Sequence, residues 1–202
     1  VCIADVKGKL RVYNGLVSCH GCEYDVRYSS ANTRVSSLAP WNLFKQTTYI
    51  NNNAQPRGNS EWADNQYVNG LYVGRGTLDG LYFGDWITVK YYQVFFVTGF
   101  DITGKTTNQA NVPKKFQLYG RNGDSEQWTV IHKQDSDDID CWDCSFRFNA
   151  EIAYSQIGFV ASQLQQFGTS MSFEQLRLIV VTDITKRTIT SKEPEFGAVN
   201  SI

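Results

Sequence analysis

The sequence predicts an all-β protein built as an antiparallel β-sandwich. Trp86 to Ile131 breaks into short pieces rich in β-branched and aromatic residues, each closed by Gly, Asn, Asp or Pro. Successive strands joined by tight loops read this way. Phe100 and Ile102, then Phe116 and Leu118, alternate with polar neighbours, so one face of each strand is buried and the other is wet. A sheet with one apolar face needs a second layer to cover it.

Taken in order, Val6, Leu10 and Val12 alternate loosely with Lys7, Lys9 and Arg11, a strand signal within Val1 to Tyr13. Such a strand either pairs inside its own sandwich or adds to a neighbour's sheet edge, with Cys2 as a buried apolar residue or as a covalent lock. Tyr24, Val26 and Tyr28 alternate with Asp25 and Arg27 as a second strand. A short helical turn is expected near Pro40 to Lys45. Asn51 to Asn69 is rich in Asn, Gln and Gly and reads as a long loop. Gly70, Gly74, Gly76, Gly80 and Gly84 cut the next stretch into very short pieces. Trp86 to Val89 and Val94 to Lys105 read as two strands. Gly120 to Asp124 supplies turn chemistry between two later ones. Phe146 and Phe148 alternate, Ile157, Phe159 and Val160 make another strand, and Leu176 to Ile184 makes the last. Ser162 to Phe173 reads as a polar connection. The core is expected from Trp86, Phe100, Ile102, Phe116, Leu118, Trp128 and Leu178.

Several of these pieces resemble the discoidin, or coagulation-factor C-type, domain family. Trp86-Ile87-Thr88-Val89 followed by Val97 to Lys105, then Lys115 to Ile131 with a glycine-bearing acidic turn before Trp128, then Leu176-Arg177-Leu178-Ile179-Val180, stand in the family's order. Lys90-Tyr91-Tyr92 departs from it, standing where the family has an Asp-Leu-Gly turn. The terminal cysteine pair of many members is also missing, because no cysteine follows Cys144. The resemblance implies a galactose-binding-like jelly-roll over residues 41–184. Residues 1–40 are then an N-terminal extension, or extra strands of the same domain, and residues 185–202 a C-terminal tail. It also implies that ligands bind at one end of the sandwich, among the long early loops.

The length of 202 residues is enough to bury a core without staples, and the net charge of −1 gives no basic footprint for nucleic acid. No apolar run is long enough for a transmembrane segment. The chain begins at Val1 rather than Met and carries no Asn-x-Ser/Thr sequon; the first feature suggests a processed, secreted protein, and the second lends that no support.

Cys19 and Cys22 form one CxxC pair and Cys141 and Cys144 another. Disulfides, within or between the pairs, are one reading, a four-thiolate zinc site is another, and free thiols are the third. Asp135, Asp137, Asp138 and Asp140 form an acidic loop that is either solvated or a calcium site, although EF-hand spacing is missing. Neither metal is required by the sequence. His20 and His132 are the two histidines, and no nucleophile elbow accompanies them. An enzyme is not expected.

Sugars present C–H faces that stack on aromatic rings, while amides, carboxylates and guanidinium groups read their hydroxyls. Trp62, Asp64, Tyr67, Tyr72 and Arg75 offer that mixture. The expected function is a secreted or cell-surface, non-enzymatic binding or adhesion module whose partners are glycans or surface proteins. The alternatives are a structural subunit of an extracellular assembly that oligomerises through its termini, and an intracellular interaction module with a four-cysteine zinc site.

Overall fold

The computed structural model describes residues 6–10, 22–30, 60–63, 65–104, 109–138 and 143–181. The sequence features at Cys2, Cys19, His20, Pro40 to Lys45, Asp64, Asp140, Cys141 and residues 185–202 lie outside them. The strands are β1 (Val6–Leu10), β2 (Cys22–Tyr28), β3 (Ser60–Glu61), β4 (Tyr67–Val68), β5 (Leu71–Tyr72), β6 (Thr77–Leu78) and β7 (Tyr82–Phe83). They continue with β8 (Asp85–Thr103), β9 (Pro113–Arg121), β10 (Thr129–Gln134), β11 (Asp143–Arg147), β12 (Ala153–Leu164), β13 (Ser172–Phe173) and β14 (Gln175–Val181). Their pairings are antiparallel. Among the described residues the one helical turn is the 3-10 turn Gln109–Asn111.

The two stretches read as separate strands, Trp86 to Val89 and Val94 to Lys105, are one strand. β8 runs 19 residues and belongs to both layers. Its first part pairs β2 at Ile87–Tyr91 and β12 at Asp85–Lys90. Its second part pairs β11 at Gly99–Thr103 and β14 at Phe96–Thr103. Lys90-Tyr91-Tyr92-Gln93 holds no Gly or Pro to stop the strand, so the chain bends across with Tyr92 and Val94 exposed. One layer is thus β1–β2–β8–β12–β9–β10 and the other is β11–β8–β14. β1 pairs β2 within the same chain, from Val6↔Val26 to Leu10↔Cys22.

The facing sides alternate as the sequence requires. Val26, Ile87, Val89, Phe116, Leu118, Ile157 and Phe159 meet Phe100, Ile102, Leu176 and Leu178 in one buried cluster. Trp86 and Trp128 are buried too, but on the far side of the larger layer, with Leu78, Tyr119 and Val160. The β6–β7 hairpin supplies that second cover, while the β4–β5 hairpin packs on the main cluster. Asn69-Gly70 joins β4 to β5, and Asp79-Gly80 begins the turn from β6 to β7, with all four residues at positive φ. Short Asn-Gly and Asp-Gly turns favour tight hairpins for this reason.

Candidate functional site

Three loops meet at the end of the sandwich where β12 stops and β8 starts. Residues 62–70, the turn Gln109–Asn111 and residues 165–171 are laced together by backbone hydrogen bonds. Trp62 N donates to Met171 O (2.9 Å), Tyr67 N to Thr169 O (3.1 Å), Leu164 N to Gly70 O (2.8 Å) and Gln165 N to Val112 O (2.8 Å). The packing leaves no room for side chains at two glycines. A Cβ on Gly70 would lie 2.3 Å from Gln166 O, and one on Gly168 would lie 2.3 Å from Ala110 O. The Asn111 amide donates to Ser170 Oγ at 3.3 Å.

On this base stands Phe167, 78% exposed and the most exposed large apolar side chain among the described residues. Its neighbour Gln166 and the nearby Asn65 and Asn69 all hold positive φ, at 48°, 61° and 51°. Left-handed backbone at non-glycine residues is uncommon and marks tight, over-determined loops. Gln166, Asn65, Asn69 and Thr169 are exposed. An open phenyl ring beside exposed side-chain amides can stack on an apolar face and hydrogen-bond the groups around it. No carboxylate–histidine or nucleophile–histidine pair accompanies it among the described residues.

The residues expected at the site divide differently. Trp62 and Tyr67 are 0% and 1% exposed, so neither presents a ring face at the surface here. They form the floor of the loop end. Trp62 stacks on Phe173, and Tyr67 donates its hydroxyl to Ala161 O at 3.0 Å. Burial pushes the Tyr67 phenol well above its ordinary value. Tyr72 is half-buried edge-on against Tyr67, and its oxygen accepts from Gly76 N at 2.8 Å. Burial and then the nearby Asp85 charge push Tyr72 up to about 12. Arg75 is exposed. Phe167 escaped the sequence reading because it sits inside a polar connection. The signal there was an aromatic residue between two glutamines and a glycine, Gln165-Gln166-Phe167-Gly168.

In the acidic loop, Asp135 pairs with Lys133 at 2.6 Å, while Asp137 lies 3.0 Å from Lys115 and 3.4 Å from Lys114. These lysines hold both carboxyls below the usual range. Asp138 is exposed. No group of three or more His, Cys, Asp or Glu converges for a metal among the described residues. Cys22 opens β2, and Cys144 is half-buried in β11 against the main core. His132 packs among Phe100, Phe116, Phe146 and Phe148, and burial lowers its pKa. A cavity of about 260 Å³ lies at the other end of the sandwich, lined by Val97, Val130, Ile131, Phe148 and Ile152 beside Asn149 and Glu151. Thr129 and Tyr154 also line its wall, which is half aliphatic and half aromatic or polar.

No protein-family model matches the sequence, and no curated protein does. Solved structures do match in fold. A family 32 carbohydrate-binding module from Clostridium perfringens, solved with GalNAc-β-1,3-galactose, is 13% identical, with 77% of this chain and 94% of that one covered and a TM-score of 0.53. A fucosidase from Ruminococcus gnavus, solved with fucose, is 14% identical over 79% of this chain and 26% of that one, at a TM-score of 0.51. Chitosan-binding module 1 from a Paenibacillus sp. IK-5 chitosanase/glucanase is 12% identical over 76% and 92%, at 0.50. The fold is the discoidin-type, galactose-binding-like β-sandwich. Its structural neighbours include carbohydrate-binding modules, a non-catalytic class of domain. Among the described residues no helix is long and apolar enough to cross a membrane.

Proposed function

We propose that this chain is a non-enzymatic glycan-binding module whose ligand sits on the loop end built from residues 62–70, 109–112 and 165–171. The observation that carries the reading is Phe167, an exposed ring held by a tightly laced loop and next to Gln166, whose carbonyl lies against Gly70. Phe167 stacks on the sugar, and the amides of Asn65, Asn69 and Gln166 read its hydroxyls. Arg75 is exposed two residues beyond Val73, whose N donates to Gln66 O at 2.9 Å, and we read it as a rim donor. The neighbour solved with GalNAc-β-1,3-galactose supports a sugar of this kind as the first ligand to try.

The module is read as acting outside the cell or at its surface, bound to glycans there. Cys144 is read as an oxidised cysteine. Its place in one of the two CxxC pairs supports this reading. A glycan array displaying terminal galactose, GalNAc, fucose and glucosamine residues tests the function. Selective signal on one terminal sugar is the expected result, and a uniformly blank array at high protein concentration contradicts it.

A further inference from the structure

We propose that Asp85 is the positioning residue of the loop end, a buried carboxyl that ties three chain segments beneath it and makes their closure depend on pH. The claim that this end is the ligand end rests on the glycan-binding reading above; the tie itself rests on geometry. Asp85 is 0% exposed. Its Oδ1 accepts from Ser29 Oγ at 2.8 Å and from Ser30 Oγ at 3.1 Å. Ser29 Oγ accepts in turn from Trp86 N at 3.0 Å, and Ser30 Oγ from Ala63 N at 3.2 Å. Trp62 Nε1 donates to Trp86 O at 3.2 Å. The exit of β2, the start of the 62–70 loop and the start of β8 therefore meet at one side chain.

That side chain is incompletely satisfied. Asp85 Oδ2 is buried and has no hydrogen-bond partner among the described residues, and an ionised carboxylate with a bare buried oxygen is costly. The titratable groups acting on it from the elements packed around it are Tyr67 of β4 and Tyr72 of β5, both neutral phenols whose own ionisation Asp85 opposes. Among the described residues no cation pairs with it. Burial pushes the carboxyl up to about 6, with the hydrogen bonds from Ser29 and Ser30 drawing it partly back. Opening of the loop end returns Asp85 to water, where it titrates as an ordinary carboxyl. The raised value belongs to the closed state, so closure gains strength as pH falls through about 6 and loses it as pH rises. The span between the two values limits the effect on the opening equilibrium to roughly 100-fold.

Amide hydrogen exchange on the full chain, corrected for intrinsic rates and compared at about pH 5 and about pH 7.5 for wild type and Asp85→Asn, tests this. The amides of Trp62, Ala63 and Tyr67 should gain roughly 10-fold protection at the lower pH in wild type, and none in the variant. The amide of Ser155, which donates to Asn122 Oδ1 at 2.9 Å at the opposite end, serves as the control and should not follow. Equal pH dependence in the two proteins overturns the proposal, and so does a Ser155 amide that moves in step with Ala63. The measurement uses no ligand, so a chain that binds no glycan still answers it. A glycan-binding chain with a flat exchange profile removes Asp85's role alone.

Discussion

Trp62 lies face to face on Phe173, with ring centroids 5.7 Å apart and planes 2° from parallel. Each ring is fully buried, and the pair joins the short β3–β13 ladder to the main core through Phe159. Trp62→Ala should therefore cost about 3–5 kcal/mol, the usual range for deleting a large buried aromatic ring. Denaturant unfolding checks this. A loss below about 1 kcal/mol would mean that Trp62 is a surface residue after all.

The alternation of the strands was legible because a half-buried sheet writes its burial directly into the sequence with a period of two. Phe100, Ile102, Phe116 and Leu118 fall in the core for that reason. Trp86 and Trp128 were legible as buried but not as outward-facing. Their cover comes from the β6–β7 hairpin, and nothing local in either tryptophan's surroundings names so distant a partner. The site was harder. Trp62 and Phe167 are both aromatic residues flanked by polar ones, and their opposite fates depend on whether another segment lands on the ring. Phe173 lands on Trp62; among the described residues nothing comparable covers Phe167.

Gly70 and Gly80 separate backbone strain from steric conflict. Both have positive φ, 77° and 75°, but a Cβ on Gly80 meets nothing within 4 Å, whereas one on Gly70 meets Gln166 O at 2.3 Å. Gly80→Ala should cost only the left-handed penalty, about 1–2 kcal/mol. Gly70→Ala should cost more and should displace the Gln166–Phe167 loop as well. Thermal melts of the two variants give the order. Equal losses would mean that the Gly70–Gln166 contact relaxes freely.

Asp101 sits between two arginines on the outer face of the smaller layer. Its oxygens accept from Arg147 at 2.7 Å, Ser145 at 2.8 Å and Arg177 Nε at 2.6 Å. Burial pushes its carboxyl upward, but these hydrogen bonds outweigh burial and hold it below the usual range. A lowered carboxyl contributes stability above its unfolded value and loses it as pH falls through the folded one. Both arginines are about half exposed, which keeps the contribution modest. Asp101→Asn should cost about 1–2 kcal/mol near neutral pH. The gap between variant and wild type should close in acid; urea unfolding at both pH values measures it, and a gap that widens in acid contradicts the assignment.

Non-reducing mass spectrometry should find Cys144 in a cystine. Reduction should then lower the unfolding midpoint, because a cross-link restricts the unfolded chain. Four free thiols at Cys19, Cys22, Cys141 and Cys144 together with stoichiometric zinc would instead support the intracellular, metal-clasped alternative.

Calorimetric titration of the array-selected sugar into wild type and Phe167→Ala tests the central claim most directly. Phe167 is 78% exposed, so its removal should leave the melting temperature nearly unchanged while weakening binding by about 1–3 kcal/mol, roughly 10- to 100-fold. Unchanged affinity in Phe167→Ala, with the sugar still binding elsewhere on the chain, would contradict the loop-end site.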